Sequence, residues 1–118
     1  MPPTPARWSS LPADKPMPLL ERRRVIGDHA MISHVSLKKG CFVPTHQHAN
    51  EQFCCLLRGR LKFGLGAERS PDRRDVTLGP DEVLYLPANL PHSAEALEDT
   101  IVLDIFSPPS EKTGIDRP

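Results

Sequence analysis

The segment HQHANEQFCCLLRG, residues 46–59, begins with two histidines one residue apart and continues into a run of apolar side chains. Side chains along a β-strand point alternately to opposite faces, so His46 and His48 would share one face and could bind one metal ion. A short turn follows, after which either Glu51 or Gln52 would return to that face. The turn interrupts the alternation, so the pattern leaves both residues open as a further ligand.

The length and charge of the chain limit what such a site could belong to. With 118 residues the chain can bury one hydrophobic core, so we expect a single domain. Lysine plus arginine (15) equals aspartate plus glutamate (15), which leaves no net charge to attract a polyanion or an anionic membrane. No apolar run approaches the roughly 20 residues of a membrane-spanning helix. We therefore expect neither a nucleic acid nor a membrane as a partner.

The cysteine content indicates the compartment. Cys41, Cys54 and Cys55 make an odd count for disulfide pairing. Neighbouring residues on a strand point to opposite faces, which disfavours a bridge between Cys54 and Cys55. The first 18 residues contain no apolar segment typical of a secretion signal. These features favour reduced thiols and a cytoplasmic protein.

Short β-strands are the regular structure that the sequence predicts. Fourteen prolines and the lack of a sustained 3.6-residue apolar repeat argue against long helices. Apolar runs separated by turn residues predict an all-β fold with strands at 22–26, 30–37, 42–46, 52–57, 61–65, 75–78, 83–86, 92–95 and 100–106.

The predicted strands divide the chain into a folded body and two ends. We expect residues 1–19 to form an extended proline-rich arm that packs on the surface or on a partner subunit, without regular structure up to about Pro18. Residues 20–108 would form the barrel, with residues 66–74 as an exposed hairpin loop, and residues 109–118 a loose tail.

Two of the predicted strands are apolar on both faces. They read FCCLL from Phe53 and IVLDIF from Ile101, whereas a strand with one buried face would alternate polar and apolar residues. Such strands fit between a barrel interior and a second covering layer. A homodimer would supply that layer.

The spacing of five residues across this region resembles the first motif of the cupins. They are Gly40, His46, His48, Gln52 and Gly59, with Gln52 where the family usually has glutamate. The resemblance implies a double-stranded β-helix, or jelly-roll, barrel. It also implies that Gln52, and not Glu51, is the residue that faces the metal.

The second cupin motif resembles the segment around Pro87 and His92, where a proline-bounded turn would bring His92 to the start of a strand. Three positions depart from this motif: Asp81 and Asn89 stand in place of glycines, and Ala96 in place of an asparagine. Asp and Asn tolerate the left-handed backbone conformation better than most residues, so we expect these turns to form.

The two motifs together imply one divalent transition metal per chain, held by His46, His48, His92 and Gln52. All four ligands are neutral, so the ion would keep its full charge and act as a strong Lewis acid. Nitrogen-rich ligands suit nickel, zinc, iron(II), cobalt and manganese, and the sequence does not separate them.

The C-terminal strand is similar to that of small single-domain cupins of the pectin-degradation type, which ketonise unsaturated uronates. The resemblance implies a pocket lined by Asp104 and Phe106. Ser110 stands where that group has an arginine for the substrate carboxylate. Lys62, or one of Arg22 and Arg24, would have to take its place.

Asp104 is a credible general acid or base, although it could equally cap the barrel rim through backbone amides. Cys54 should face the barrel interior near the metal. The first function class is a metal-dependent isomerase, tautomerase or lyase acting on a small sugar-acid-like or carbonyl or enol substrate. The alternatives are an iron-dependent dioxygenase and a binding or sensor module without turnover.

Overall fold

The computed structural model describes residues 3–110 and 112–113. These residues contain ten β-strands and one short 3₁₀ helix. The helix is Trp8–Ser10, and the strands are β1 Asp14–Met17, β2 Leu20–Ile26, β3 Met31–Leu37, β4 Phe42–His46, β5 Glu51–Arg58, β6 Leu61–Leu65, β7 Arg74–Leu78, β8 Val83–Leu86, β9 His92–Ala96 and β10 Thr100–Ser107.

The strands form two antiparallel sheets with the order β1-β2-β3-β10-β5-β8 in one and β4-β9-β6-β7 in the other. Their inner faces enclose a single core, because alternate residues along each strand are buried. On β3, for example, Met31, Ser33, Val35 and Leu37 are buried and the residues between them are less so. This arrangement is a jelly-roll barrel, which confirms the predicted fold class.

All nine predicted strands are present, with ends within two residues of the observed ones. The predicted hairpin loop, at residues 66–74, connects β6 and β7, which pair in antiparallel orientation. The prediction that the arm lacks regular structure is wrong for Asp14–Met17, which pairs with β2 as β1. Pro16 is compatible with this strand because β1 lies at the sheet edge, where one side of the backbone needs no partner.

The rest of the N-terminal arm packs on the outer face of the six-stranded sheet. The Trp8 ring lies 5.4 Å from the His34 ring, measured between centroids. Nε of Arg23 on β2 donates to the Leu11 carbonyl oxygen at 3.2 Å. The prediction of a loose C-terminal tail lies largely outside the described residues, but Thr113 is buried.

The described residues contain no helix long and apolar enough to cross a membrane. Cys41 and Cys54 are buried, Cys55 is half-buried, and none of the three forms a disulfide, in agreement with the sequence. Asp81 and Asn89 have φ values of 71° and 64°, so both adopt the left-handed conformation that was expected where the related motif has glycine.

The turn at Gly59 cannot accept a side chain. Its φ is 98°, and a β-carbon there would lie 2.5 Å from the Asp99 carbonyl oxygen and 2.7 Å from Thr100 Cα. Gly40 also has a positive φ, 89°, but a β-carbon there would meet no atom within 4 Å. A side chain at Gly40 would therefore meet only backbone strain. A side chain at Gly59 would meet both backbone strain and steric overlap with the Asp99–Thr100 backbone.

We therefore expect Gly59→Ala to lower the free energy of unfolding by about 3 kcal/mol. The matched change Gly40→Ala should lower it by about 1 kcal/mol. Urea unfolding followed by circular dichroism measures both. If both variants lost the same free energy of unfolding, steric overlap with the Asp99–Thr100 backbone would not be what excludes a side chain at Gly59.

Candidate metal centre

Three histidines converge at one end of the barrel. His46 ends β4 and His92 begins β9, and the two are direct partners in the pairing of these strands. His48 follows two residues after His46. The nitrogen atoms that the three side chains offer to a ligand all lie within 4.8 Å of one another.

Each of the three rings is oriented by a carbonyl oxygen two residues away. Nδ1 of His46, His48 and His92 lies 2.8, 2.9 and 2.8 Å from its carbonyl oxygen, respectively. The carbonyl groups belong to Pro44, Asn50 and Leu90. A carbonyl oxygen can only accept, so each Nδ1 must carry the proton. The Nε2 atom of every ring is thereby left with a free lone pair, which is the form that binds a metal.

Nε2 of His48 is buried and has no hydrogen-bond partner among the described residues. Buried polar atoms normally have a partner, because an unpaired one loses its interaction with water without compensation. A metal ion between the three rings would supply that partner. The donor set therefore fits a bound divalent ion.

Burial keeps two rings of the cluster, His46 and His92, neutral. Burial lowers the pKa of His92 to about 4, against a smaller opposing effect from its bond to Leu90, and His46 and His48 lower it further. The pKa of His46 is lowered too, mainly by burial. At neutral pH both rings hold no second proton that an incoming metal would have to displace.

Gln52 is buried on the inner face of β5, whereas Glu51 lies on the outer face, so Gln52 is the one of the two that faces the barrel interior. Nε2 of Gln52 donates to Oδ1 of Asp104 at 3.0 Å, so its Oε1 remains available. The carboxylate of Glu51 accepts a hydrogen bond from the Tyr85 hydroxyl at 3.0 Å. Glu51 is thus bonded to a residue of the neighbouring strand β8 on the outer surface.

Asp104 accepts hydrogen bonds from two inner-face residues of β5, Gln52 and Cys54. Burial raises the pKa of Asp104 to about 6, and these two hydrogen bonds oppose the rise. The Cys54 thiol has a pKa well above its usual value, mainly because of burial. Asp104 therefore faces the interior, and its hydrogen bonds to described residues come from these side chains and not from backbone amides at the rim, the alternative that the sequence had left open.

Gln52, Cys54 and Asp104 line one cavity together with His46, His92 and Phe106. The Phe106 ring also lies edge-on to His48, with centroids 5.7 Å apart. The cavity is small, about 50 Å³, and apolar side chains form most of its remaining wall. A volume of this size holds a few water molecules or a small ligand.

Lys62 does not belong to this cavity, which corrects the prediction that it is a pocket residue. The alternation along β6 buries Leu61 and Phe63 and places Lys62 on the outer face, where it pairs with Asp75 at 3.5 Å. Arg22 and Arg24 do not line the cavity either. Arg22 binds the Asp14 carboxylate at 3.0 Å, and Arg24 approaches it at 3.8 Å.

Sequence reasoning missed Thr113, which is buried and lines the same cavity. A lone threonine in a polar, proline-containing tail gives no signal that it returns to the barrel. Ser110 donates a hydrogen bond to the Lys112 carbonyl oxygen at 2.7 Å and is not among the residues around the cavity.

A comparison with known protein families identifies the family of this chain. Residues 33–106 match the cupin domain family. The chain belongs to the cupins. The match spans both predicted motifs and all four proposed ligands of this cupin. No curated protein matches the chain.

Solved structures share the fold of this cupin at low sequence identity. An RmlC-like cupin from Shewanella frigidimarina has a TM-score of 0.79 and 19% identity over 90% of this chain and 91% of its own. KdgF from Halomonas sp. has a TM-score of 0.74 and 24% identity over 87% and 93%. Oxalate decarboxylase from Bacillus subtilis, which has Mn(II) centres, gives 0.78 and 22% over 90% of this chain and 30% of its own.

Proposed function

We propose that this cupin binds one divalent transition metal through His46, His48, His92 and Gln52 and catalyses a non-redox reaction of a small oxygenated substrate. Isomerisation, tautomerisation or lyase chemistry at a carbonyl or enol group fits the site best. The observation that carries the proposal is the unpartnered, buried Nε2 of His48 inside a cluster whose other rings also present Nε2.

The ligands supply no negative charge, so a bound ion would act as a Lewis acid on a substrate oxygen. Nickel, zinc, iron(II), cobalt and manganese all accept imidazole-rich ligation. The Mn(II) centres of the structurally similar oxalate decarboxylase add weight to manganese among these candidates.

Asp104 is the group that would move a proton. Its pKa of about 6 lies near neutrality, where a carboxyl group can both accept and release a proton, and a nearby cation would lower that pKa. Gln52 links metal binding to proton transfer. Its Nε2–H donates to one carboxylate oxygen of Asp104, while its Oε1 stays available as a metal ligand.

The cavity favours a carbonyl or enol compound over a sugar acid. Its volume is about 50 Å³, its wall is mostly apolar, and none of the arginines in residues 3–110 lines it. A carboxylate and several hydroxyl groups buried there would lose more hydrogen bonds to water than the few polar side chains of the cavity could replace. Phe106 and the neighbouring apolar side chains would instead exclude water from the reacting group.

The test is a substrate screen with metal-loaded protein. We expect turnover of an enolisable β-dicarbonyl compound without oxygen uptake, and no turnover of unsaturated uronates or flavonols. Oxygen consumed in step with substrate would replace the proposal with an iron-dependent dioxygenase. Stoichiometric metal without turnover of any of the three compound classes would support a binding or sensor module instead.

A cytoplasmic location forms part of the proposal. It is supported by three cysteines that form no disulfide, as in proteins of reducing compartments.

A further inference from the structure

A groove lies on the outer face of the four-stranded sheet, on the side that faces away from the barrel interior. Gly64 on β6 forms its floor, between Ser93 on β9 and Asp75 on β7, which are its direct pairing partners. The groove has a volume of about 170 Å³, against about 50 Å³ for the cavity at the metal centre, so it has room for a small organic molecule. We call it the outer groove; its lining residues are Phe42, Lys62, Gly64, Arg73, Asp75, Ser93 and Glu95.

The guanidinium group of Arg73 is seated over Gly64 at the floor of the outer groove. A β-carbon at position 64 would overlap this guanidinium group and would lie 2.7 Å from Ser93 Oγ, so a residue without a side chain is needed there. Nη2 of Arg73 donates to Ser93 Oγ at 2.9 Å, and Nη1 donates to the Gly66 carbonyl oxygen. Both acceptors are uncharged, and no carboxylate of the described residues forms an ion pair with Arg73. The half-buried positive charge is therefore held in place by neutral groups alone.

Two further polar groups of the outer groove have unused bonding capacity. Ser93 is buried, with 6% of its surface exposed, and its oxygen accepts from Arg73, but its O–H has no acceptor among the described residues. Glu95 is half-buried, and its carboxylate forms neither a hydrogen bond nor an ion pair with the part of the chain that the structure describes. Lys62 and Asp75 pair with each other at 3.5 Å. The charges of the groove that remain unmatched are thus one cation, Arg73, and one anion, Glu95.

We propose that the outer groove binds a small zwitterion, an α-amino acid with an apolar side chain. The ligand carboxylate would accept hydrogen bonds from Arg73 and from the Ser93 hydroxyl, and the ligand ammonium group would pair with Glu95. A purely anionic ligand would be repelled by Glu95 and Asp75, and a purely cationic ligand by Arg73 and Lys62. A ligand that carries both charges is therefore the one that complements the groove.

The spacing along β9 selects the α-amino acid class. Ser93 and Glu95 are two residues apart on one strand, so their side chains leave the same face about 7 Å apart. Hydrogen bonds of about 2.9 Å at both ends leave space for only a short connection between carboxylate and ammonium group. In an α-amino acid both groups are attached to one carbon atom, whereas longer amino acids hold them further apart. Phe42 pairs with Glu95 between β4 and β9 and is 52% exposed, so an apolar ligand side chain would cover its ring.

Titrations followed through the backbone amide signals in NMR spectra test the proposal. The protein is loaded with zinc, whose filled d shell does not broaden the signals. The three probes share an isobutyl group: L-leucine carries both charges, isocaproate only the carboxylate, and isoamylamine only the ammonium group. We expect L-leucine to shift the signals of Gly64 and Ser93 with a millimolar dissociation constant, and the other two to bind at least about tenfold more weakly. No saturable shift with L-leucine up to about 20 mM, or equal affinity for either singly charged probe, would overturn the proposal.

Variants assign the binding to the outer groove. Arg73→Gln and Glu95→Gln should each raise the dissociation constant of L-leucine at least about tenfold, because each removes one of the two charges that the ligand pairs with. Glu95→Gln breaks no bond to a described residue, so it should fold as the parent does. Arg74→Gln is the matched control, because Arg74 is exposed and does not line the groove. His46→Ala should also leave the affinity unchanged, because it alters only the metal centre. Unchanged affinity in Glu95→Gln, or a tenfold loss in His46→Ala, would place the ligand outside the groove and contradict the proposal.

Discussion

Replacing His92 with alanine is expected to remove nearly all of the metal from the purified protein. His92 is buried, its Nδ1 is fixed by the Leu90 carbonyl, and its Nε2 points to the same site as those of His46 and His48. Loss of even an indirect partner of a metal ligand weakens binding by about 10- to 100-fold, so loss of a ligand should lower affinity by at least about 100-fold. Elemental analysis after purification without chelators measures the metal content per chain.

A parallel variant and a control make this test specific. His46→Ala should show the same loss, although His46 is less buried than His92. His34→Ala should keep the metal, because His34 stacks on Trp8 at the outer face. Circular dichroism checks that each barrel is folded. Full metal occupancy in both ligand variants would show that the ion binds elsewhere.

The second large effect is expected for Asp104→Asn, which should reduce turnover by at least about 100-fold while the metal stays bound. The asparagine amide oxygen can still accept the hydrogen bond from Gln52, so the position of Gln52 is preserved. The amide group cannot take up or release the proton that the proposed chemistry transfers. Turnover is measured on the compound that the substrate screen identifies, and metal content in parallel.

Asp75→Asn is the matched control, because Asp75 is an exposed aspartate that pairs with Lys62 on the outer surface. It should leave both turnover and metal content unchanged. An Asp104→Asn protein that retains metal and turns over within about threefold of the parent would remove Asp104 from the mechanism. The metal ligand assignment would survive that outcome, since it depends on different atoms.

The fold was largely predictable because it follows from local patterns. Turn residues between short apolar runs located nine strands. Alternation predicted that His46 and His48 share a face, and the two do converge, although β4 ends at His46 and His48 lies just beyond it. The strand missed by the prediction, Asp14–Met17, contains Pro16, and a local pattern does not show that a segment will become the edge of a sheet. Edge placement depends on contacts with β2, which are set by the whole fold.

The site was predictable only with the help of the family resemblance. His92 reaches His46 through the pairing of β9 with β4, a contact between residues far apart in the chain that alternation does not reveal. The choice of Gln52 over Glu51 also came from the resemblance. Lys62 was misplaced because the prediction of its role ignored the alternation along β6, where its neighbours fill the core. Thr113 carried no signal at all.

The carbonyl groups that orient the three rings have a consequence for how an ion enters. Each belongs to a residue only two positions from its histidine, so folding of the local backbone already fixes every ring. The entropy of ordering these ligands is therefore lost when the chain folds and not when the ion arrives. Unlike a zinc finger, whose folding waits for its ion, this barrel should present a rigid, preorganised receptor, and uptake would be limited by passage to the rings.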